Sequence, residues 1–349
     1  KCTANGGGGV TDSNNITINT GAAPTSQVYN GTAWSFGASL PETMDSNASA
    51  GSGTAWGVFG GICGAPSATA NVFLLYNTET NLCSTTPFQL GAWSNAGDMI
   101  NGRAQLAGAG TQNAALAFGG ETTGTIGCTE EYNGSSWELG GVMITARRLL
   151  AGAGTQGAGI VFGGYQGGDL NSTEEYNGSS WAAGGGLITA RRSLSGAGTQ
   201  NAGLAFGGGD PLRTNTEEYN GTAWTAGGAL SIAVYRPQGA GTQNAGLVMG
   251  GTTPSVTSTS AEYNGSSWST GGALVIATQA GAVAGLQDAA LVFGGSPIAS
   301  QTQEYNGSSW STTISLLRGT NSQAGAGTQT AALSAGGSGN TSFTEEYNY

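Results

Sequence analysis

Seven tryptophans, Trp34, Trp93, Trp137, Trp181, Trp224, Trp268 and Trp310, punctuate the chain, the last six at intervals of 42 to 44 residues. A fixed period of this size marks a repeated supersecondary unit that buries its apolar face only by stacking on its neighbours. The first interval, 59 residues, is longer because TETNLCSTTPFQLG stands between Tyr76 and Trp93, where later units carry a three-residue turn. Trp56 is out of register, just ahead of a glycine doublet.

One unit reads WELGGVMITARRLLAGAGTQGAGIVFGGYQGGDLNSTEEYN from Trp137 to Asn177, and GSS then leads to Trp181. Four strands fit into it. LLAGAGT is rich in Ala and Gly, as suits the innermost strand of a propeller blade, where neighbours crowd the central channel. AGIVF, ending at Gly163 and Gly164, is a short apolar run bounded by glycines, as expected of a strand buried on both faces. Equivalent runs end at Gly60, Gly119, Gly207, Gly250, Gly294 and Gly336. TEEYN and the Trp segment form the third and fourth strands. The Asn-Gly between them predicts a hairpin with a type I′ turn, which needs positive φ at both central residues. Tyr132 and Trp137 flank such a hairpin, as do Tyr176, Tyr219, Tyr263 and Tyr305 with their tryptophans, and these rings are the expected core.

Glycine supplies 65 residues, but it does not recur at every third position, which excludes collagen. Periodic aromatics argue against disorder. The expected fold is all-β: a seven-bladed β-propeller of four-stranded antiparallel blades over residues 25–349, with residues 1–24 outside the ring. Seven Trp strands and seven glycine doublets set that blade count. Eight Tyr-Asn elements, at Tyr29, Tyr76, Tyr132, Tyr176, Tyr219, Tyr263, Tyr305 and Tyr347, leave one surplus. The expected closure pairs the strand at Trp34 with the last residues of the chain. NITINT, within the N-terminal extension, offers a β-branched segment for self-association or for another chain.

A glycine doublet after an apolar strand, then a Tyr, then a Trp, resembles the kelch repeat, whose fold is a propeller with four-stranded blades. The likeness covers about residues 25–349, with a shorter Tyr-to-Trp spacing than in that family, as at Tyr132 and Trp137. The wording EEYNGSSW with GAGTQNAALAFGG also resembles repeats in structural or tail-associated proteins of marine bacteriophages.

A formal charge of −11 with nine Lys and Arg argues against nucleic acid as a partner. No apolar run of about 18 residues is present, so membrane insertion is not expected. The chain has no histidine, which removes Ser-His-Asp and Cys-His catalysis and the commonest zinc and copper ligands. Neighbouring carboxylates in Glu130–Glu131, Glu174–Glu175 and Glu217–Glu218 point to opposite faces of a strand and cannot converge as acid and base. No enzyme activity, cofactor or metal is expected. Arg103, Arg147 and Arg191, each at the start of an inner strand, are candidates for structural ion pairs with Glu131, Glu175 and Glu218, Arg147 with Glu131 for example. Solvated charges and a ligand-binding ring are the alternatives. Asn-Gly-Ser/Thr triplets satisfy the glycosylation sequon, but turn chemistry accounts for them. Cys2, Cys63, Cys83 and Cys128 are candidates for two disulfides in an oxidising setting, with Cys63–Cys128 and Cys2–Cys83 as one of three pairings and four free thiols as the other reading.

The expected function is a non-enzymatic structural or adhesion module on a phage virion surface or tail, extracellular, contacting other virion proteins or a host glycan or receptor. A secreted lectin-like propeller and a subunit of an extracellular filament are the alternatives. Residues 62–103, the most irregular stretch, are where a function peculiar to this chain is expected to sit.

Overall fold

The computed structural model describes residues 91–349 throughout and, before them, the backbone of seven strands. Two compact units divide the chain, residues 1–90 and Gly91–Tyr349. In the first, Thr17–Asn19, Thr25–Tyr29 and Trp34–Ser39 form an antiparallel three-stranded sheet. Met44–Ser52, Ala55–Ile62, Val72–Asn77 and Leu82–Ser84 form a four-stranded one. The expected extension over residues 1–24 and its role in self-association fall almost wholly outside the described residues.

The second unit is a β-propeller of six four-stranded antiparallel blades, one fewer than the sequence period suggests. The ring begins at Ala92, not at residue 25. In the second blade the strands are Ala151–Thr155, Ala158–Phe162, Thr173–Tyr176 and Trp181–Gly184, in spatial order from the inside outwards. Each later blade repeats this plan down to the last. There, Ala324–Gly327, Ala331–Ala335 and Thr344–Asn348 are joined by Ala92–Asn95 as outer strand, with Tyr347 opposite Trp93.

Closure therefore runs through Trp93, and Trp34, expected to close the ring, pairs instead with Tyr29 in the first unit. The insertion explains the difference. Elsewhere a short Asn-Gly turn ties each Tyr strand to the Trp strand that follows it, but Leu82–Ser84 takes the place beside Tyr76. Trp93 is thereby left without a preceding hairpin partner, and Tyr347 of the last blade stands opposite it. Each satisfies the other, and every blade of the ring has its four strands.

The blades are riveted by contacts that recur from junction to junction. Phe118 meets Trp181 edge-on at 5.1 Å, Phe162 meets Trp224 at 4.8 Å, and Phe293 meets Trp93 at 4.9 Å. The indole Nε1 of each of these tryptophans donates to a threonine hydroxyl of the preceding blade, Trp181 to Thr129 and Trp224 to Thr173 at 2.9 Å and Trp93 to Thr302 at 3.2 Å. Trp310 has no such partner because Ser260 replaces the threonine and donates to Gly272 O instead. Glutamines of the inner hairpin turn add a second rivet: Gln156 Nε2 donates to Ala115 O and Tyr132 O of the blade before it, and Gln200 to Gly159 O and Tyr176 O. These glutamines are partners across the junction, a role that their own unit does not reveal.

Small residues on the inner strands are a packing requirement. A Cβ on Gly152 would come within 2.3 Å of the Phe118 ring of the neighbouring blade. Gly152→Ala is expected to destabilise the ring by about 1–3 kcal/mol through overpacking. Denaturant unfolding checks it, and an unchanged midpoint would show that the junction can yield.

The Asn-Gly turns differ from type I′. Tyr132 lies opposite Trp137, so four residues form the loop, and only Gly134, not Asn133, has positive φ. Asn133 Oδ1 instead accepts the backbone N–H groups of Ser135 and Ser136, both at 3.0 Å, an Asx-type cap that sets the turn without a left-handed Asn.

Candidate functional site

Antiparallel blades place the Thr-Gln and Asn-Gly turns on one face of the ring. The loops after the glycine doublets and the crossovers between blades lie on the other. The turn face repeats almost verbatim. The loop face does not: ETTGTIGC, YQGGDLNS, GDPLRTN, TTPSVTST, SPIASQ and SGNTSF follow the six doublets. Because every unit builds the same blade, residues that differ between units are those the blade does not require.

The repeated polar residues are consumed inside the fold. Arg103, Arg147 and Arg191 are fully buried and pair with Glu130, Glu174 and Glu217, the first glutamate of the doublet in the blade each arginine leads into. Arg147 reaches Glu174 at 2.5 Å. The second glutamates, expected as the partners, are engaged elsewhere. Glu131, Glu175 and Glu218 accept the hydroxyls of Tyr176, Tyr219 and Tyr263 from the next blade, at 2.5–2.6 Å. Adjacent residues of a strand face opposite sides, so one glutamate serves its own blade and the other the junction. Burial, and then these carboxylates, push Tyr176, Tyr219 and Tyr263 up to about 12. Each of the six ring tyrosines is at most 1% exposed, so they offer no surface to a ligand.

Later blades replace the ion pair. Val234 and Ala261 stand at its positions in the fourth blade, Thr278 and Gln303 in the fifth, and Thr320 and Glu345 in the sixth. Glu345 keeps the bonds to Leu317 N and Arg318 N but has no ion pair among the described residues. Burial holds its carboxyl above the ordinary 4.5, against those two N–H groups and the Arg318 charge. With a raised folded-state value, its contribution to stability is fully present below the unfolded pKa and is lost as pH rises through the folded one. Glu345→Gln, which installs the residue the fifth blade carries as Gln303, is expected to gain in melting temperature relative to the wild type as pH rises above the ordinary carboxylate value toward the raised one of the folded state. A difference in melting temperature that does not change with pH would contradict this.

Inner strands line the channel with glycine and alanine, among them Ala109, Gly154, Ala197 and Ala326, so its middle carries no reactive group. Its mouth on the loop face is different. Gln105, Leu149, Ser193, Arg236, Ala280 and Ser322, each just before the channel lining, all have φ between 52° and 59°. Their backbones form a closed girdle: Leu149 N donates to Gln105 O, Ser193 N to Leu149 O, Arg236 N to Ser193 O, Ala280 N to Arg236 O, Ser322 N to Ala280 O and Gln105 N to Ser322 O, at 2.7–3.2 Å. Left-handed backbone at non-glycine residues costs of order 1 kcal/mol or more each. In a chain with 65 glycines, none of the six positions holds one. Side chains are therefore kept at the mouth against a local cost.

Beside this girdle, the residues preceding it (Ala104, Arg148, Arg192, Tyr235, Gln279, Asn321) and those following the doublets (Glu121, Tyr165, Gly209, Thr252, Ser296, Ser338) also vary between blades. Arg148 pairs with Glu121 and lies over Tyr165 at 5.4 Å. Arg192 lies over the same ring at 5.1 Å and pairs with Asp169 and Asp210, at 2.7 and 2.8 Å. Arg236 lies over Tyr235 at 5.5 Å. An apolar ring stands on the crossovers of the loop face. Ile100, Ile144, Ile188 and Leu317 donate backbone N–H groups to the buried glutamates, yet their side chains are 52–62% exposed, as is Val275 at 59%.

Among the described residues no cluster of His, Cys, Asp and Glu could hold a metal ion. Cys128 is half-buried with no disulfide partner among the described residues. Cys2 and Cys63 lie outside those residues, as does the Cys83 side chain, so the proposed pairings do too. The mouth is legible in the variation from unit to unit at residues 104–105, 148–149, 192–193 and 235–236, whereas irregularity in the repeat points to the stretch 62–103. No protein-family model matches the chain, and no curated protein matches it either.

Proposed function

We propose that the chain is a non-enzymatic structural and adhesion module of a phage virion surface or tail, in which the six-bladed ring is a rigid scaffold and its loop face does the recognising. The observation that carries this reading is the partition of variation: repeated polar and aromatic side chains are spent on blades and junctions, and differences collect around one mouth. The exposed aliphatic ring on the crossovers adds an apolar surface of the kind that contacts another protein. The phage setting rests on the wording EEYNGSSW and GAGTQNAALAFGG. A lectin-like reading based on the repeated tyrosines and tryptophans loses its support, since those rings are core.

Antibodies against the ring should label the outside of phage particles in electron micrographs, and the purified chain should adsorb to host cells and compete with intact phage. Labelling confined to infected-cell cytoplasm, with no adsorption, would overturn the reading.

A further inference from the structure

We infer that the channel mouth on the loop face, over blades two to four, is a binding site for a carboxylate- or sulfate-bearing saccharide, held by Arg213 and Arg236 beside Tyr235. The inference rests on the adhesion reading and gives it a ligand class.

The charge distribution is the starting point. The chain has eight arginines and one lysine against twenty Asp and Glu. Three arginines are locked in buried pairs. Of the other five, Arg148, Arg192, Arg213 and Arg236 gather in one arc. Arg148 is matched by Glu121 and Arg192 by Asp169 and Asp210. Arg213 and Arg236 have no ion-pair partner among the described residues, both are half-buried, and the Nε of each is buried without a hydrogen-bond partner. Arg213 packs along Gly209, where a Cβ would fall 2.8–2.9 Å from its side chain, and Gly209 N donates to Arg192 O, so these groups belong to one surface. Arg236 occupies a strained girdle position that glycine would fill at lower cost.

Two half-buried guanidiniums without counter-ions cost solvation free energy in a protein that otherwise has an excess of carboxylates. An anionic ligand group supplies what is missing, and the planar fork of arginine suits carboxylate and sulfate oxygens. The field at the site agrees. Burial pushes the Tyr235 phenol up, but the adjacent Ser193, Arg192 and Arg236 side chains outweigh it, and its net shift is downward. On the opposite side of the mouth the equivalent residues are neutral hydrogen-bonding groups, Gln279, Ser296, Asn321 and Ser338. A row of hydroxyl and amide partners beside a cationic arc fits a hydroxylated ring bearing an acid group better than an acidic peptide.

The test is calorimetric titration of the full chain with oligogalacturonate, with a sulfated oligosaccharide, with a neutral galactose oligomer of equal length and with oligoglutamate. Oligogalacturonate or the sulfated oligosaccharide should bind and weaken steeply with salt. Arg236→Gln and Arg213→Gln should each raise the Kd at least tenfold, with an unchanged thermal melt showing that the ring is intact. Equal binding of the neutral oligomer, stronger binding of oligoglutamate, no binding of either acidic saccharide, or unchanged affinity in both variants would each overturn the inference. Host-cell adsorption that persists in both variants would sink this ligand assignment alone, leaving the adhesion reading in place.

Discussion

Replacing Arg147 by valine is expected to cost about 3–5 kcal/mol, because it strands the buried Glu174 carboxylate without its counter-ion. Two backbone N–H groups, Ile144 N at 2.7 Å and Thr145 N at 3.0 Å, remain to solvate that charge and cannot neutralise it. The protein already contains the repaired version. At the same positions the fourth blade has Val234 and Ala261, which pack in one apolar cluster with Val248. Arg147→Val with Glu174→Ala should therefore recover most of what the single substitution loses. A denaturant-unfolding cycle over the four proteins reads the coupling. If the double variant is as unstable as Arg147→Val, the ion pair and the apolar pair are not interchangeable, and the blades are more individual than their repeat implies.

Ring closure gives the second large effect. Trp93→Ala removes the indole that packs on Phe293 at 4.9 Å and on Tyr347 at 5.3 Å and that donates to Thr302, at an expected cost of about 3–5 kcal/mol. Truncation sharpens the point. A chain beginning at Gly91 keeps the outer strand Ala92–Asn95 and should unfold cooperatively, since the first 90 residues supply no strand to the ring. A chain beginning at Gly97 leaves Thr344–Asn348 as an unpaired edge and should associate or aggregate. Size-exclusion chromatography and thermal melts of the two fragments decide it. A monomeric, fully stable 97–349 fragment would mean that the outer strand is dispensable.

The blade plan was legible because its causes are local. Strand alternation, glycine doublets and Asn-Gly turns all act within a few residues, and Tyr132 opposite Trp137 follows from them directly. The ion pairs were half legible. Arginine and glutamate recur with the period, but which of two adjacent glutamates faces the arginine depends on the side of the strand each occupies. That side is set by register, which ties Leu116 to Glu131 and Ala117 to Glu130. A shift of one residue exchanges the two roles. The second glutamates found their tyrosine partners only across the junction between blades.

Counting failed where sequence order and spatial order part. Seven tryptophans suggested seven blades, yet Trp34 belongs to another sheet and Trp93 completes a blade begun more than two hundred residues later. The mouth of the ring lies beyond local reasoning for the same reason. Each girdle hydrogen bond joins residues of successive units, and the closing one joins Gln105 to Ser322. What the amino-acid order determined by itself is the blade: four short strands, a glycine-lined inner edge and a buried aromatic pair, all fixed by short-range sterics and burial. Only the tertiary structure decided how many blades close the ring, which strand closes it and which side chains meet at its mouth. Those depend on contacts between chain segments whose separation along the sequence carries no trace of their proximity in space.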